Sequence, residues 1–513
     1  MAASIVQAIE QVVLAPEIWL VIVLSATYGV FMGAIPGLTA TMSVALFVPV
    51  TFWMDPIPAL AAIVTMVACA IFAGDIPTSL LRIPGTPASA AYAEDAYYYT
   101  QRGEPERPLG MSLVGSVSGG LFGAVVLMLV GHQLAQLAAM FSVAEYFWLY
   151  LLGLTSAVIV SRGSVLKGVL AMLLGVLFAT VGLSPVHSEA RFTFGIPQLY
   201  QGINFIPAMI GLFGLSEVLR NLLDLGRPET DVTEDTESPP SEEVRSFFQR
   251  YAVQPLASVF GNAWRVLSTR LGHGLRSGGI GSLMGMLPGA GADIAAWVSM
   301  GASKRFSESP EDYGRNSIEG IADATTANSS ALASTWIPAL VFGIPGDSIT
   351  AIVIGVLLMK NINPGPNIFE EQTVLVYSIY ITFILANLVL LAVGYAAIKT
   401  GRHVVRIPRR ILLPVILLFC IVGSYALHTS YFDVGVMLGM GILAFFLERR
   451  GVPMGPIVLG IILGGPLESR FIQTLSASDG TILAFFNRPI AGTLGALCIA
   501  VWISTIVLEW RSD

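Results

Sequence analysis

Four proline-glycine pairs stand in or beside the apolar runs of this sequence, and polar or small residues follow each. Pro36-Gly37 precedes Thr39, Thr41 and Ser43; Pro84-Gly85 precedes Thr86 and Ser89; Pro288-Gly289 precedes Gly291 and Asp293; Pro345-Gly346 precedes Asp347 and Ser348. Proline removes a backbone donor and glycine admits dihedrals closed to other residues, so each pair interrupts a helix. At hydrocarbon depth an interruption survives only where protein or a watery cavity satisfies the freed backbone groups. Freed N–H groups and positive helix ends suit a carboxylate, whereas freed carbonyl oxygens suit a small cation. The four pairs, with the hydroxyls beside them, are therefore expected to form one anion site, and Asp293 and Asp347 to serve a coupling cation. The plainer alternative is local: hydroxyls bonding back to their own helices and carboxylates capping half-helices.

Further polar groups lie in apolar surroundings. Asp75 and Arg82 are seven residues apart around Ile76-Pro77, which suggests an ion pair or an Arg82 contact to a bound carboxylate. Asn328, Ser329 and Ser330 occupy a run of small polar residues before Trp336, suited equally to lining a substrate path and to close helix packing. The histidines, at 132, 187, 273, 403 and 428, are scattered, and Cys69, Cys420 and Cys498 match no metal or disulfide spacing. No metal, cofactor or nucleophile-base set is expected from them.

The elements that must carry these residues are hydrophobic. Of 513 residues 54% are hydrophobic and 12% charged, against about 25% charged in a soluble domain, which excludes a soluble enzyme. Runs such as Ile18 to Leu38, Ile57 to Ala73, Gly168 to Val186, Val374 to Val393 and Ala491 to Leu508 are continuous rather than alternating, so they read as membrane helices and not as barrel strands. The net charge of −7 matches seven acidic residues between Glu229 and Glu243, and nothing basic enough for nucleic acid remains. Met1 to Pro16 holds no Lys or Arg, so the first apolar run is expected to be a retained helix rather than a secretory signal.

The chain also repeats itself. Gly33-Ala-Ile-Pro36-Gly37 returns as Gly285-Met-Leu-Pro288-Gly289, and Ile76 to Gly85 returns as Ile337 to Gly346 with five of ten positions identical. Duplication explains both matches in the same order. Residues 1–224 and 255–513 are thus expected to be two transmembrane repeats joined by an acidic cytoplasmic linker, 225–254, rich in Pro, Ser, Thr, Asp and Glu. Arg102, Arg107, Arg162 and Lys167 mark cytoplasmic loops in the first half, while Asn363 to Glu371 carries no basic residue and Lys399, Arg402 and Arg406 follow the next long helix. The repeats are therefore expected to be inverted. The reading is an all-α polytopic membrane protein, with about 10–12 transmembrane helices and broken or re-entrant segments. Paired breaks favour a carrier; an intramembrane enzyme would show an acid-base or metal cluster, and a passive anion channel a continuous polar pore.

Gly33 to Phe52, Ile83 to Ala91, Gly285 to Ser307, Gly343 to Ser348 and Asn363 to Pro366 resemble the large membrane subunit of the tripartite tricarboxylate transporter family, TctA type. The resemblance runs from about residue 20 to the C-terminus. It implies a multi-pass subunit of the bacterial inner membrane, coupled to sodium or protons. Its partners would be a small four-helix membrane subunit and a periplasmic solute-binding protein that delivers organic carboxylates. Departures from the family's commonest pattern gather at the breaks. Asp293 and Met300 stand for Thr and Tyr, Thr325 and Ser329 for Glu and Asn, Arg82 for Asn, and Asp75 for Gly or Ser. They leave the substrate open among tricarboxylates, dicarboxylates, aromatic acids and other organic anions.

Overall fold

The apolar runs become helices because a bilayer offers their backbone groups no other partner. The computed structural model describes residues 2–160, 164–184, 189–224, 259–261, 263, 265–266, 270–288, 291–404 and 409–512. The 225–254 linker and Gly289 lie outside the described residues. Seven described helices are long and apolar enough to cross a membrane, and six shorter apolar ones accompany them, which makes the chain an all-α polytopic membrane protein. Two two-residue strands, β1 (Gly182–Leu183) and β2 (Ala190–Arg191), pair antiparallel between helices.

In the first half the helices are α1 (Ala2–Val12), α2 (Pro16–Ala34), α3 (Ala40–Thr51), α4 (Pro56–Ala73), α5 (Asp75–Leu81), α6 (Ala93–Gln101), α7 (Glu106–Ala138), α8 (Val143–Val160), α9 (Val165–Ala179) and α10 (Phe205–Leu223). The second half supplies α11 (Leu271–Met286), α12 (Gly291–Phe306), α13 (Ile318–Ser334), α14 (Trp336–Phe342), α15 (Ser348–Met359), α16 (Thr373–Val404), α17 (Arg409–His428), α18 (Tyr431–Arg449), α19 (Met454–Ser476) and α20 (Pro489–Ser512).

Sequence repetition reappears as repeated packing. Gly29 and Gly33 of α2 press on the carbonyls of Met66 and Ala70 in α4, and Gly281 and Gly285 of α11 press on those of Ala327 and Ala331 in α13. These are the equivalent pairs of the duplicated motifs. Small residues permit this approach, and within a membrane van der Waals packing is a main driving term for helix association. The long helices cross between halves: α7 lies along α13, α16 lies along α4, and the two touch each other. Around them α19 joins the α8–α9 pair, and α10 joins the α17–α18 pair.

Candidate functional site

Pro36-Gly37, Pro84-Gly85, Pro345-Gly346 and Pro288 fall between helices, as their chemistry requires. At the first, Gly37 adopts φ 90°, and a Cβ there would lie 2.6 Å from Asn221 Oδ1. Asn221 Nδ2 donates to the Gly37 carbonyl at 3.4 Å and to Glu217 Oε1 at 2.8 Å. The next helix, α3, is capped by Thr39, whose hydroxyl accepts the Met42 N–H at 3.1 Å.

The second and fourth pairs share one local design. α5 follows α4 through Gly74 and ends at Arg82 in the left-handed region; α14 follows α13 through Thr335 and ends at left-handed Gly343. Ile83 N–H donates to Pro77 O at 3.3 Å, and Ile344 N–H to Pro338 O at 3.2 Å. Gly85 then packs on Gly74, and Gly346 on Thr335, so close that neither site has room for a Cβ. The duplicated sequence therefore builds the same turn twice.

Much of the polar material at these turns is consumed locally. Thr78 Oγ1 accepts the Gly85 N–H at 3.1 Å, and Thr86 and Ser89 each accept the other's backbone N–H at 3.1 Å. Asp347 caps α15: its Oδ1 accepts the Thr350 N–H and hydroxyl, both at 2.7 Å, while Thr350 Oγ1 accepts the Asp347 N–H at 3.0 Å. The local alternative thus describes Thr39, Thr86 and Asp347 directly. At the third pair the Ser156 hydroxyl donates to the Pro288 carbonyl, and Gly291, at φ 65°, opens α12.

The breaks come together. Asp293, half-buried in the first turn of α12, accepts the Ala88 N–H at 3.1 Å, and Trp297 Nε1 donates to Pro87 O at 3.1 Å, which joins the second break to the third. A Cβ on Gly291 would lie 3.6 Å from Asp347 Cβ, which joins the third to the fourth. α3, which follows the first break, packs on α15, which follows the fourth. Thr41 and Ser348 lie in the first turns of those two helices and make no side-chain hydrogen bond among the described residues. Asn328 and Ser329 are buried in α13, and Asn328 Oδ1 has no hydrogen-bond partner among the described residues.

The suggested Asp75–Arg82 pair does not form. The left-handed turn at Arg82 ends α5, and the guanidinium pairs with Glu94 instead, Nε to Oε1 at 2.8 Å. Asp75 is held by Tyr92 and Ser112. Residues that the sequence reading passed over include Asn221 and Glu217, whose i, i+4 spacing within an apolar span is a visible signal, and Ser156, Tyr92 and Ser112, which no spacing singles out. Outside the spans, Asp95 accepts N–H groups of Gly314, Arg315 and Ser317 at 3.0, 2.9 and 2.8 Å. Burial raises its carboxyl above the ordinary pKa, and these hydrogen bonds oppose the rise. Among the described residues no group of three His, Cys, Asp or Glu side chains could hold a metal ion.

Interrupted helices meeting inside a bundle of apolar spans define a multi-pass membrane protein with a polar centre. Residues 19–459 match the Tripartite tricarboxylate transporter TctA family, and the chain belongs to that family. It is similar to an Agrobacterium vitis protein described as an uncharacterized 52.8 kDa protein in the TAR-I ttuC' 3' region. The two are 31% identical over 484 residues, 94% of this chain and 92% of that protein. A second Agrobacterium vitis protein, described as uncharacterized in the TAR-II ttuC' 3' region, is 33% identical over 232 residues, 45% of this chain and 96% of its own length. No solved structure matches the chain.

Proposed function

We propose that the chain is the large transmembrane subunit of a binding-protein-dependent, cation-coupled secondary transporter that imports organic carboxylates across a bacterial inner membrane. Family membership supports the transporter class. The observation that carries the reading is the meeting of the breaks: the Asp293–Ala88 hydrogen bond and the Gly291–Asp347 approach bring three of them to one place. There Thr41, Ser348 and Asn328, together with backbone of the Pro36-Gly37, Pro84-Gly85, Pro288-Gly289 and Pro345-Gly346 turns, bind the carboxylate. Asp293 and Asp347 hold the coupling sodium ion or proton. A small four-helix membrane subunit and a periplasmic solute-binding protein complete the system.

Coupling follows from magnitude. One elementary charge moved across 100 mV is worth about 2.3 kcal/mol, so a dianion entering an inside-negative cell faces about 4.6 kcal/mol. At least two cations must accompany it for electroneutrality, and more to draw on the voltage. The test is reconstitution with the two partner subunits, followed by uptake of a carboxylate panel under sodium and proton gradients imposed separately. Accumulation under one gradient is expected; equilibration without concentration under both would mean a channel, and no uptake of any carboxylate would overturn the reading.

A further inference from the structure

One buried carboxylate plays no part in the site described above. Asp75 opens α5 within the Pro56–Leu81 span and is 2% exposed. The Tyr92 hydroxyl donates to its Oδ1 at 2.6 Å, and the Ser112 hydroxyl donates to Oδ2. Among the described residues no Lys, Arg or His forms an ion pair with it.

Several charged groups on the elements packed against α5 have other partners. On α6, Glu94 holds Arg82, and Asp95 holds the backbone of 314–317. On α7 and α16, Glu106 pairs with Lys399 at 2.6 Å, and Arg107 pairs with Glu104 at 3.3 Å. α2 brings Tyr28, which donates to Ser43 O, and α4 brings the buried thiol of Cys69.

A full negative charge here meets two neutral hydroxyls and, among the described residues, no counter-charge, which does not offset desolvation of an ion. A proton on the carboxyl removes that cost. Both protonation states have partners: the ionised form accepts from Tyr92 and Ser112, and the protonated form donates to one of them, since each hydroxyl also accepts. The carboxyl can therefore be loaded and unloaded without breaking the site. Asp75 also adjoins Gly74, on which the Gly85 turn of the second break packs.

We infer that Asp75 is a proton-binding site of this carrier, held by the Tyr92 and Ser112 hydroxyls beside the second break. Loading transfers a proton from hydronium to a carboxylate oxygen and leaves water; release breaks that O–H bond and returns the proton to water. The inference rests on the cation-coupled reading, but its test needs no substrate.

The purified, lipid-reconstituted chain is titrated with pH by infrared difference spectroscopy in the carboxylic C=O stretching region. A titrating band is expected that disappears in Asp75→Asn and persists in Asp75→Glu. Asn accepts from Tyr92 and donates to Ser112, so the variant retains the local hydrogen bonds. Tyr92→Phe, which removes one of the two hydroxyls, is expected to move the titration midpoint while keeping the band. The inference is overturned where the wild type shows no titrating band or where the band survives in Asp75→Asn. An unmoved midpoint in Tyr92→Phe overturns the role of its hydroxyl in holding the proton. Failure of carboxylate uptake in the complete system would sink the carrier reading and leave the infrared result unaffected.

Discussion

Asn328 places an amide oxygen inside a packed helix with nothing to bond it among the described residues. An unsatisfied buried acceptor costs about 1–3 kcal/mol, and an apolar replacement of similar shape recovers part of that. Asn328→Leu is therefore expected to unfold at the same or a higher temperature in detergent, yet to lose carboxylate uptake in the reconstituted system. Unchanged uptake would remove Asn328 from the substrate contacts. Asp347 needs the opposite care, because its charge and its cap are separable. Asn caps about as well as Asp, whereas Ala costs about 1 kcal/mol. Asp347→Asn is thus expected to fold normally and to raise the half-saturating cation concentration, while Asp347→Ala also lowers thermal stability; normal cation dependence in well-folded Asp347→Asn would exclude it from coupling. These two residues mark what the sequence could disclose. Polar groups at the breaks were legible by type and spacing. Capping and ligand binding call for the same residues at the same offsets, so the sequence alone does not show that Thr39, Thr86 and Asp347 make local hydrogen bonds while Thr41 and Ser348 make none among the described residues.

The helices show a similar division between what is local and what is shared. The breaks were legible because proline and glycine act on their own backbone, and repetition of Ile-Pro…Ile-Pro-Gly told that the turn is built twice. The Asp75–Arg82 spacing misled, since i, i+7 places two side chains on one face only if the helix continues between them, and α5 ends at Arg82. Pairing between helices was not legible, because every face of a membrane helix is apolar whether it meets lipid or protein. Hence nothing in the pattern foretold that α7 lies along α13 of the other half. That contact depends on Gly119 and Gly123, which press on the carbonyls of Thr326 and Ser330. The Thr326 carbonyl belongs to a helix backbone and cannot turn aside. Gly119→Val is expected to lower detergent-solubilised thermal stability by about 1–3 kcal/mol, the usual cost of overpacking. Gly279→Val, on α11 with open space around it, serves as control. Equal melting of the two variants would show that the α7–α13 contact contributes little to cohesion.

For the molecule as a whole, the decisive feature is the brevity of its described connections. Between the apolar helices, the longer described stretches run over 82–105, which carries the short α6, 180–184 with 189–204, and 307–317, each well below the roughly 50 residues of a small independent domain. Two of them are already committed to internal contacts: Glu94 holds Arg82, and Asp95 holds the backbone of 314–317. The third is tied down by Arg191, whose guanidinium bonds both oxygens of Glu468 at 2.7 and 2.9 Å. High-affinity capture of a dilute anion needs a closing, largely desolvated pocket with several charged hydrogen bonds. The proposed reading assigns capture to a separate soluble protein and release to the broken-helix centre. Vesicles holding this chain and the small membrane subunit are expected to take up labelled carboxylate only when the binding protein is added outside, with a rate that saturates in binding-protein concentration. Adding free ligand without that protein should not restore the rate at low concentration. Full-rate, high-affinity uptake by this chain alone would contradict the division of labour while leaving the broken-helix site intact.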